Sequence, residues 1–296
     1  VSVLHLNLRG FHAETRALDI DRVLRAYDAT VSVVLQALKD NKGVLDTFQG
    51  DRFVATFNAV TPAAGHGRRA VIAALRIGAA LGEGSKGFQL RMTAGVALGR
   101  ALVGNVGNKD MKRFCVVGPA VTQAAVLERM CKLYRGVSCL VPQRLLSDLQ
   151  AHVQVRAVDL VRLPFADKPV VVSAAVSEAA AGGDDEWLYV VDKAEKGDAN
   201  AAANATFALL QEGNYEAAVQ RYDEARGAGG GVPHETATPA ETPSFLIKQD
   251  SSGGDGTVSV QQTLATLIET VRDGASTLSV SSDLGRFFDV FSKSTA

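Results

Sequence analysis

The chain has 296 residues, with Lys+Arg 31 against Asp+Glu 32 and a formal net charge of -1. Hydrophobic residues make up 47% and charged residues 21%, a globular composition that excludes global disorder. The balanced charge argues against nucleic acid as a partner, and no apolar run reaches the roughly 18 residues of a membrane span. Three cysteines without metal-ligand spacing predict reduced thiols, and the absence of a signal-peptide pattern leads us to expect a cytoplasmic protein.

The first 175 residues alternate predicted strands and helices joined by short turns. Predicted strands cover Val1–Leu8, Val44–Phe48, Arg52–Phe57, Phe88–Ala97, Ala101–Val106, Val137–Val141 and Val170–Ala175. Predicted helices cover Asp19–Lys39, with Asp19 as N-cap, Ala63–Leu81 and Val121–Leu133. The order β-α-β-β-α-β predicts an α+β fold, a split βαβ, ferredoxin-like sandwich with helices on one face of an antiparallel sheet.

The sequence after residue 175 has a different composition. Residues 176–203 are rich in Ala, Gly and Asp and predict a linker, whereas residues 204–226 predict a helical hairpin. Residues 227–257, rich in Gly, Pro, Ser and Thr, hold too few apolar residues to form a core and predict a flexible linker. Residues 258–296 are predicted to form a C-terminal helical segment.

The hairpin segment carries the pattern of a helical repeat. Gly213 stands where two helices would turn, and Ala218 where a small residue lets helices approach. The packing positions of the second helix hold Tyr215, Tyr222 and Ala225. This pattern resembles the second half of a tetratricopeptide repeat, with a generic helical hairpin as the alternative. One repeat cannot bury its own apolar face, so we expect helices elsewhere in the chain to cover it.

Four ordered motifs carry a second resemblance. Residues 95–107 read GVALGRALVGNVG, and residues 114–128 read FCVVGPAVTQAAVLE. Residues 3–11 read VLHLNLRGF, and residues 48–57 read FQGDRFVATF. In this order and spacing, the motifs resemble the catalytic domain of class III adenylyl and guanylyl cyclases over residues 1–175. The resemblance implies that fold and an ancestral activity that cyclises ATP or GTP.

The resemblance implies a two-metal site that is only half present. In the family, one aspartate on the first strand and one in the hairpin hold two ions, Mg or Mn, that clamp the attacking and leaving oxygens. Here the hairpin position is Asp51, but the first-strand position is Asn7. An amide brings no negative charge, so metal affinity is expected to fall. Without the resemblance, Asp51 would be interpreted as a turn residue of the hairpin.

The residues that neutralise transition-state charge in the family are also replaced. The family places an Asn and an Arg one helical turn apart, and those positions hold Thr122 and Val126. Their spacing keeps them on one helical face, but Val offers no donor to a phosphate. Losing one well-placed donor typically costs about 10²–10³ in rate. No intact catalytic residue is therefore predicted at these positions.

The predicted nucleotide contacts are mixed. The positions that read the purine hold Thr47, which matches neither selectivity residue of the family, and Cys115, which is the guanylyl-type residue. Cys115 is equally interpreted as a small apolar residue in a strand. Gly10 and Phe11 keep the turn whose backbone N–H groups face phosphate. Lys168 can take the phosphate-contacting role of a family lysine only by a shift in position.

Class III sites form between two chains arranged head to tail, so the expected partner is another cyclase-type domain. The leading hypothesis is a catalytically inactive cyclase-homology module that serves assembly or regulation of a signalling complex, with protein partners bound through the tetratricopeptide-like helices. One alternative is a weak or heterodimer-dependent nucleotidyl cyclase that uses Asp51. A third hypothesis is a sensor that binds a nucleotide without turning it over.

Overall fold

The structure is a computed structural model that describes residues 1–11, 15, 16, 18–82, 90–134, 136–179, 201–227 and 268. The predicted C-terminal segment 258–296 lies outside the described residues except for Ile268. Most of the two predicted linkers also lies outside them.

None of the helices in the described ranges is both long enough and apolar enough to cross a membrane.

The described strands and helices follow the predicted order, with ends shifted by a few residues. The strands are β1 (Ser2–Arg9), β2 (Gly43–Gln49), β3 (Arg52–Phe57), β4 (Arg91–Leu98), β5 (Leu102–Gly107), β6 (Lys112–Val117), β7 (Cys139–Pro142), β8 (Val153–Val161) and β9 (Val170–Glu178). The helices are α1 (Ile20–Asp40), α2 (His66–Gly82), α3 (Pro119–Met130), α4 (Leu146–Leu149), α5 (residues 201–212) and α6 (Tyr215–Gly227). Strands β6 and β8 and the short helix α4 are not among the strands and helices that the sequence analysis assigned.

In the described part of the chain, the strands form one mixed sheet and one separate pair. The seven-stranded sheet has the order β2-β3-β1-β4-β7-β9-β8, and β5 pairs with β6 in the smaller sheet. Strand β1 is antiparallel to β3 and β4, whereas β4 and β7 are parallel. The prediction of an antiparallel sheet is therefore wrong at this pair, because a parallel pair needs a crossover connection and α3 provides it.

Helices cover both faces of the sheet, which corrects the prediction of one covered face. On one face, Leu6 of β1 lies in a core cluster with Val34 of α1 and Ile77 of α2. On the other face, α3 approaches so closely that a Cβ added at Gly95 would collide with the carbonyl oxygen of Ala124. Glycine in β4 therefore lets the α3 backbone lie directly on the sheet.

Helix α1 begins as the sequence predicts, but part of its apolar stripe does not pack. The side chain of Asp19 accepts a hydrogen bond of 2.9 Å from the amide of Arg22, which confirms the predicted N-cap. Leu24, Leu35 and Leu38 share the 3–4 spacing of an apolar helical face, yet Leu38 is buried whereas Leu24 and Leu35 are exposed. The covered stripe of α1 is narrower than its run of apolar residues.

The chain divides into two compact units that interleave in sequence. The first contains Val1–Lys132, Gly136–Val155 and Ala174–Ala180, and the second contains Leu133–Arg135, Arg156–Ser173 and Ala181–Ala296. Strands β8 and β9 contribute residues to each unit. The predicted domain boundary at residue 175 stays a prediction.

The second unit has its own core, formed by strand residues and the two C-terminal helices. This core contains Ala157, Leu160, Val171, Phe207, Leu210, Ala218 and Ile268. Gly213, with φ +78, lies in the turn between α5 and α6. The backbone N–H of Ala157 in β8 donates a hydrogen bond of 2.6 Å to Oδ1 of Asn204 in α5. The assignment of these helices to a tetratricopeptide repeat stays a prediction.

Candidate functional site

One face of β1, β3 and β4 carries the residue that replaces the expected first-strand carboxylate. Residues directly opposite each other in an antiparallel pair point to the same face, so the register defines rows across the sheet. Along β1 the rows are Val3 with Thr56 and Ala97, His5 with Val54 and Gly95, Asn7 with Arg52 and Thr93, and Arg9 with Arg91. The face therefore changes from apolar at the start of β1 to basic at its end.

The structure brings Asn7 and Asp51 to the same end of the β1–β3 pair. Asn7 is only 5% exposed and lies directly opposite Arg52, the residue that follows Asp51. The amide of Leu8 donates a hydrogen bond of 2.8 Å to the carbonyl oxygen of Asp51, which fixes the hairpin turn against β1. The two positions to which the sequence resemblance assigns metal ligands thus lie close together, and one of them holds an amide.

Tyr27 of α1 connects the predicted phosphate loop with the Gly50-Asp51 turn. Its hydroxyl donates a hydrogen bond of 2.9 Å to the carbonyl oxygen of Gly50, which has φ +56. Its ring lies 5.5 Å from that of Phe11, between ring centroids, in an edge-to-face arrangement. Burial, reinforced by the negative charge of Asp51, raises the pKa of the Tyr27 hydroxyl. Tyr27 therefore positions both loops from the opposite face of the sheet.

Two further predicted contacts flank this region. Gly10 has φ +91, a left-handed conformation that suits glycine at the end of β1. Thr47 is half-buried on β2 and lies opposite Val54, in the row that contains His5. The β2–β3 register shifts between Leu45 and Thr47. The structure thus brings Thr47 to the sheet that carries Asn7.

The residues at this place do not fit a pair of divalent ions. Asn7 contributes no charge, and the neighbouring side chain in its row is the cation of Arg52. In the described ranges, no group of three or more His, Cys, Asp or Glu side chains is close enough together to hold a metal ion. A guanidinium beside the expected metal position repels a divalent cation instead of binding it.

A polar cluster begins in the row of Asn7, at the buried Thr93, and extends to His5 in the adjacent row. Thr93 donates a hydrogen bond of 2.6 Å to Glu128 of α3, and Lys132 Nζ lies 3.8 Å from the same carboxylate oxygen. His5 Nδ1 lies 3.9 Å from the other oxygen and has no hydrogen-bond partner among the described residues. Burial, followed by the positive charges of Arg129, Arg52 and Lys132, lowers the pKa of His5 to about 4. His5 is therefore neutral near pH 7.

The remaining predicted site residues lie on other elements. Cys115 is half-buried on β6, opposite Gly104 of β5, and so belongs to the two-stranded sheet. Thr122 is half-buried on α3, whereas Val126, one turn further along, is only 4% exposed. Lys168 is exposed in the connection between β8 and β9 and belongs to the second unit. The structure therefore does not place Cys115 or Lys168 on the sheet that carries Asn7.

The sequence analysis missed the basic residues around Asn7. Arg52 adjoins Asp51 in the hairpin motif, and Arg9 adjoins Gly10 in the loop motif, yet neither was considered as a site residue. Period-two alternation along β1 would have placed Arg9 on the face of Asn7. The opposing residue Arg91 follows only from the β1–β4 register. A basic face is therefore the main addition that the structure makes to the candidate site.

Comparison with solved structures identifies the fold of about three-fifths of the chain. The guanylyl cyclase Cya2 has a TM-score of 0.52 and 23% sequence identity, over 61% of this chain and 93% of that chain. The adenylyl cyclase CyaB from P. aeruginosa has a TM-score of 0.50 and 18% identity, over 62% of this chain and 96% of that chain. The mixed α+β architecture is thus that of class III cyclase catalytic domains.

Comparison with curated proteins gives matches over about half of this chain. A terminal-differentiation specific adenylate cyclase of Dictyostelium discoideum is 24% identical over 140 residues, which is 46% of this chain and 6% of that protein. An uncharacterized protein of Mycobacterium tuberculosis is 26% identical over 152 residues, 51% of this chain and 25% of that protein. The chain therefore spans a quarter or less of these relatives. No protein-family model matches the chain.

Proposed function

We propose that this chain is a cyclase-homology module that lacks cyclase activity and acts in the assembly or regulation of a signalling complex. The observation that carries the proposal is the row Asn7–Arg52. Two-metal cyclisation needs negative charge at this place to hold both ions. The amide of Asn7 is a neutral ligand for a metal ion, and the neighbouring guanidinium of Arg52 is positively charged. The cyclase fold thus retains the frame of the site without the charges that its chemistry requires.

The helix that would stabilise the transition state supports the same conclusion. Val126 is buried, so its position contributes to packing and provides no hydrogen-bond donor. Replacing a single oriented donor typically lowers a rate by about 10²–10³. The metal position and the donor position are both changed. A partner that supplies the metal ligands therefore leaves the site without its donors, and a partner that supplies the donors leaves it without its metal ligands.

The proposal is tested by assaying the purified full chain with ATP or GTP in the presence of Mn²⁺ or Mg²⁺. We expect no cyclic nucleotide above the background of the chain-free reaction, and the same result for Asp51→Ala. An active cyclase domain assayed in parallel shows that the conditions support turnover. Cyclic product from the wild-type chain that disappears in Asp51→Ala would overturn the proposal and favour the weak or heterodimer-dependent cyclase.

The proposed partner is another cyclase-type domain, bound through the β5–β6 hairpin. Leu102 is 64% exposed and Val117 is 52% exposed, although they lie directly opposite each other in this hairpin. Val106, Met111 and Phe114 are exposed on the same two strands or their connection. Exposed apolar side chains clustered on one hairpin are typical of a protein interface.

Sedimentation of the full chain tests this interface. If a second copy can act as the partner, we expect a concentration-dependent dimer that the double substitution Leu102→Ser and Val117→Ser weakens at least tenfold. Val60→Ser changes an exposed apolar residue elsewhere and serves as the matched control. A dimer that persists unchanged in the double variant would contradict the assignment of this hairpin as its interface.

The same proposal assigns protein binding to the tetratricopeptide-like helices. Support comes from the packing of α5 and α6, since Phe207 and Ala218 are buried and α6 exposes Glu216, Arg221 and Glu224. Pull-down of protein partners with the full chain, followed by cross-linking of the bound partners to α6, tests this assignment. We expect Glu216→Ala with Glu224→Ala to reduce capture, with the exposed Asp167→Ala as control. Equal capture by both variants would contradict it.

A further inference from the structure

Three arginines surround the end of β1 on the face that carries Asn7. Arg9 and Arg91 lie directly opposite each other on β1 and β4, and Arg52 lies opposite Asn7 in the adjacent row. All three side chains are exposed. Like charges placed directly opposite each other in a sheet destabilise it. An arrangement that is unfavourable in the free chain becomes favourable when an anion lies between the cations.

Helix α3 and the turn after it add positive charge to the same face. The charges of Arg129, Arg52 and Lys132 all act on His5, whose pKa burial and these cations lower. Arg52 lies in the row next to His5, and Arg129 and Lys132 follow Glu128, whose carboxylate lies 3.9 Å from His5 Nδ1. The carboxylate of Glu128 is buried and already accepts a hydrogen bond from Thr93. The face therefore keeps a surplus of positive charge.

We infer that the basic end of this face, formed by Arg9, Arg52 and Arg91 around Asn7, binds a chain of phosphates directly and without a divalent metal ion. Guanidinium groups form bidentate hydrogen bonds with phosphate oxygens and keep their charge at all physiological pH values. The Asn7 amide adds a neutral donor at a position where a carboxylate would repel the ligand. Protein cations thus take the place of the metal charge that the residues present do not hold.

The chemistry favours a di- or triphosphate over a single phosphate. Separate guanidinium groups on three adjacent strands reach separate phosphates of one chain, and each charged hydrogen bond contributes additional affinity. Phosphate chains of this kind occur as inorganic polyphosphate and as the tail of free nucleotides. The two sources share the ligand chemistry, and the base distinguishes them.

Calorimetric titration of the full chain with sodium tripolyphosphate in excess EDTA tests the inference. We expect saturable binding that weakens as NaCl is raised, because the attraction between exposed charges is screened. Arg52→Gln and Arg91→Gln should each lower the affinity at least tenfold. Arg25→Gln removes an exposed arginine of α1, on the opposite face of the sheet, and should leave the affinity unchanged. Circular dichroism of each variant checks that its fold is retained.

Two further arms identify the ligand and the role of the metal. ATP that binds no more tightly than tripolyphosphate assigns the site to the phosphate chain alone, and tighter binding of ATP with competition by adenosine adds a base contact. Asn7→Asp should weaken binding in EDTA, because it places a negative charge beside the phosphates. Binding that appears only with Mg²⁺, or that Arg52→Gln and Arg91→Gln leave unchanged, would overturn the inference.

Discussion

The hydroxyl of Thr93 donates a hydrogen bond of 2.6 Å to the carboxylate of Glu128, and both residues are buried between β4 and α3. This bond joins the sheet to the helix that crosses it. A buried carboxylate that loses a donor bears the cost of desolvation without compensation.

Thr93→Val, which keeps the side-chain shape, should therefore destabilise the chain by about 1–3 kcal/mol. Urea unfolding at pH 7.5 measures the change. Thr47→Val serves as the control, because Thr47 is only half-buried on β2 and lies away from Glu128. Equal losses in the two variants would show that the Thr93–Glu128 bond makes no particular contribution.

The stability of the first unit should fall in acid because of His5. The pKa of His5 is lowered to about 4 in the folded chain, from 6.5 for the ordinary group, so below pH 6.5 the unfolded chain binds more protons. The contribution of neutral His5 to the free energy of unfolding is complete above pH 6.5 and is lost progressively as the pH falls toward 4. At pH 5 the loss is about 2 kcal/mol.

Urea unfolding of the wild type and His5→Gln at pH 7.5 and pH 5 isolates this effect. The variant should lose less stability than the wild type over this interval, by roughly that amount. His152→Gln removes an exposed histidine and should retain the wild-type difference. Parallel pH profiles for wild type and His5→Gln would contradict the expectation.

Asp159 should have the opposite pH dependence in the second unit. Burial raises its pKa to about 6, against the hydrogen bonds that it accepts from the Tyr134 hydroxyl and the Leu160 amide. Because the folded state favours the protonated carboxyl, its contribution is complete below pH 3.8 and is lost as the pH rises through 6. Ionisation of Asp159 therefore destabilises the folded chain at neutral pH.

Asp159→Asn, which cannot ionise, should stabilise the chain at pH 7.5 by up to about 3 kcal/mol and by less at pH 5. Thermal unfolding at the two pH values measures the difference. Asp167→Asn changes an exposed carboxylate in the same unit and serves as the control. It should leave the stability unchanged at both pH values. A stabilisation that is independent of pH would show that ionisation is not its cause.

The close approach of α3 to β4 makes Gly95 intolerant of a side chain. A Cβ at this position would meet the backbone of Ala124 and Glu128 and would lie 2.8 Å from the Leu127 side chain. Gly95→Ala should cost about 3 kcal/mol or reduce the yield of folded chain, because backbone atoms cannot move aside as a flexible side chain can. Gly82→Ala, with nothing within 4 Å of the added atom, should be nearly neutral.

Soluble yield and urea unfolding distinguish these two glycine variants. Similar stabilities of Gly95→Ala and Gly82→Ala would show that α3 can shift away from the sheet at little cost.

The parts of the fold that depend on local chemistry were predictable from the sequence. The side chain of Asp19 caps α1, and Gly50 takes a left-handed conformation in the β2–β3 turn. Both features arise from residues a few positions apart, which a single sequence displays. The order of the motifs also indicated the cyclase fold, which the structural comparison supports.

Features that depend on distant residues could not be derived in this way. The face that α3 covers is set by its approach to Gly95, and the opposition of Arg9 and Arg91 is set by the β1–β4 register. Leu24 and Leu35 carry the helical spacing of core residues but are exposed, because the sequence does not show where packing ends. The basic face therefore became visible only with the pairing of the strands.

The hydrogen bond from the Ala157 amide to Asn204 has a consequence for truncated forms of the protein. Strand β8 ends the described sheet, and a terminal strand with open backbone donors is a template for aggregation. The side chain of Asn204 accepts a hydrogen bond from one such donor, the amide of Ala157. Phe207 and Leu210 pack in one core cluster with Leu160 and Val171. A fragment that stops before α5 would expose this strand and its apolar neighbours together, so we expect it to aggregate more readily than the full chain.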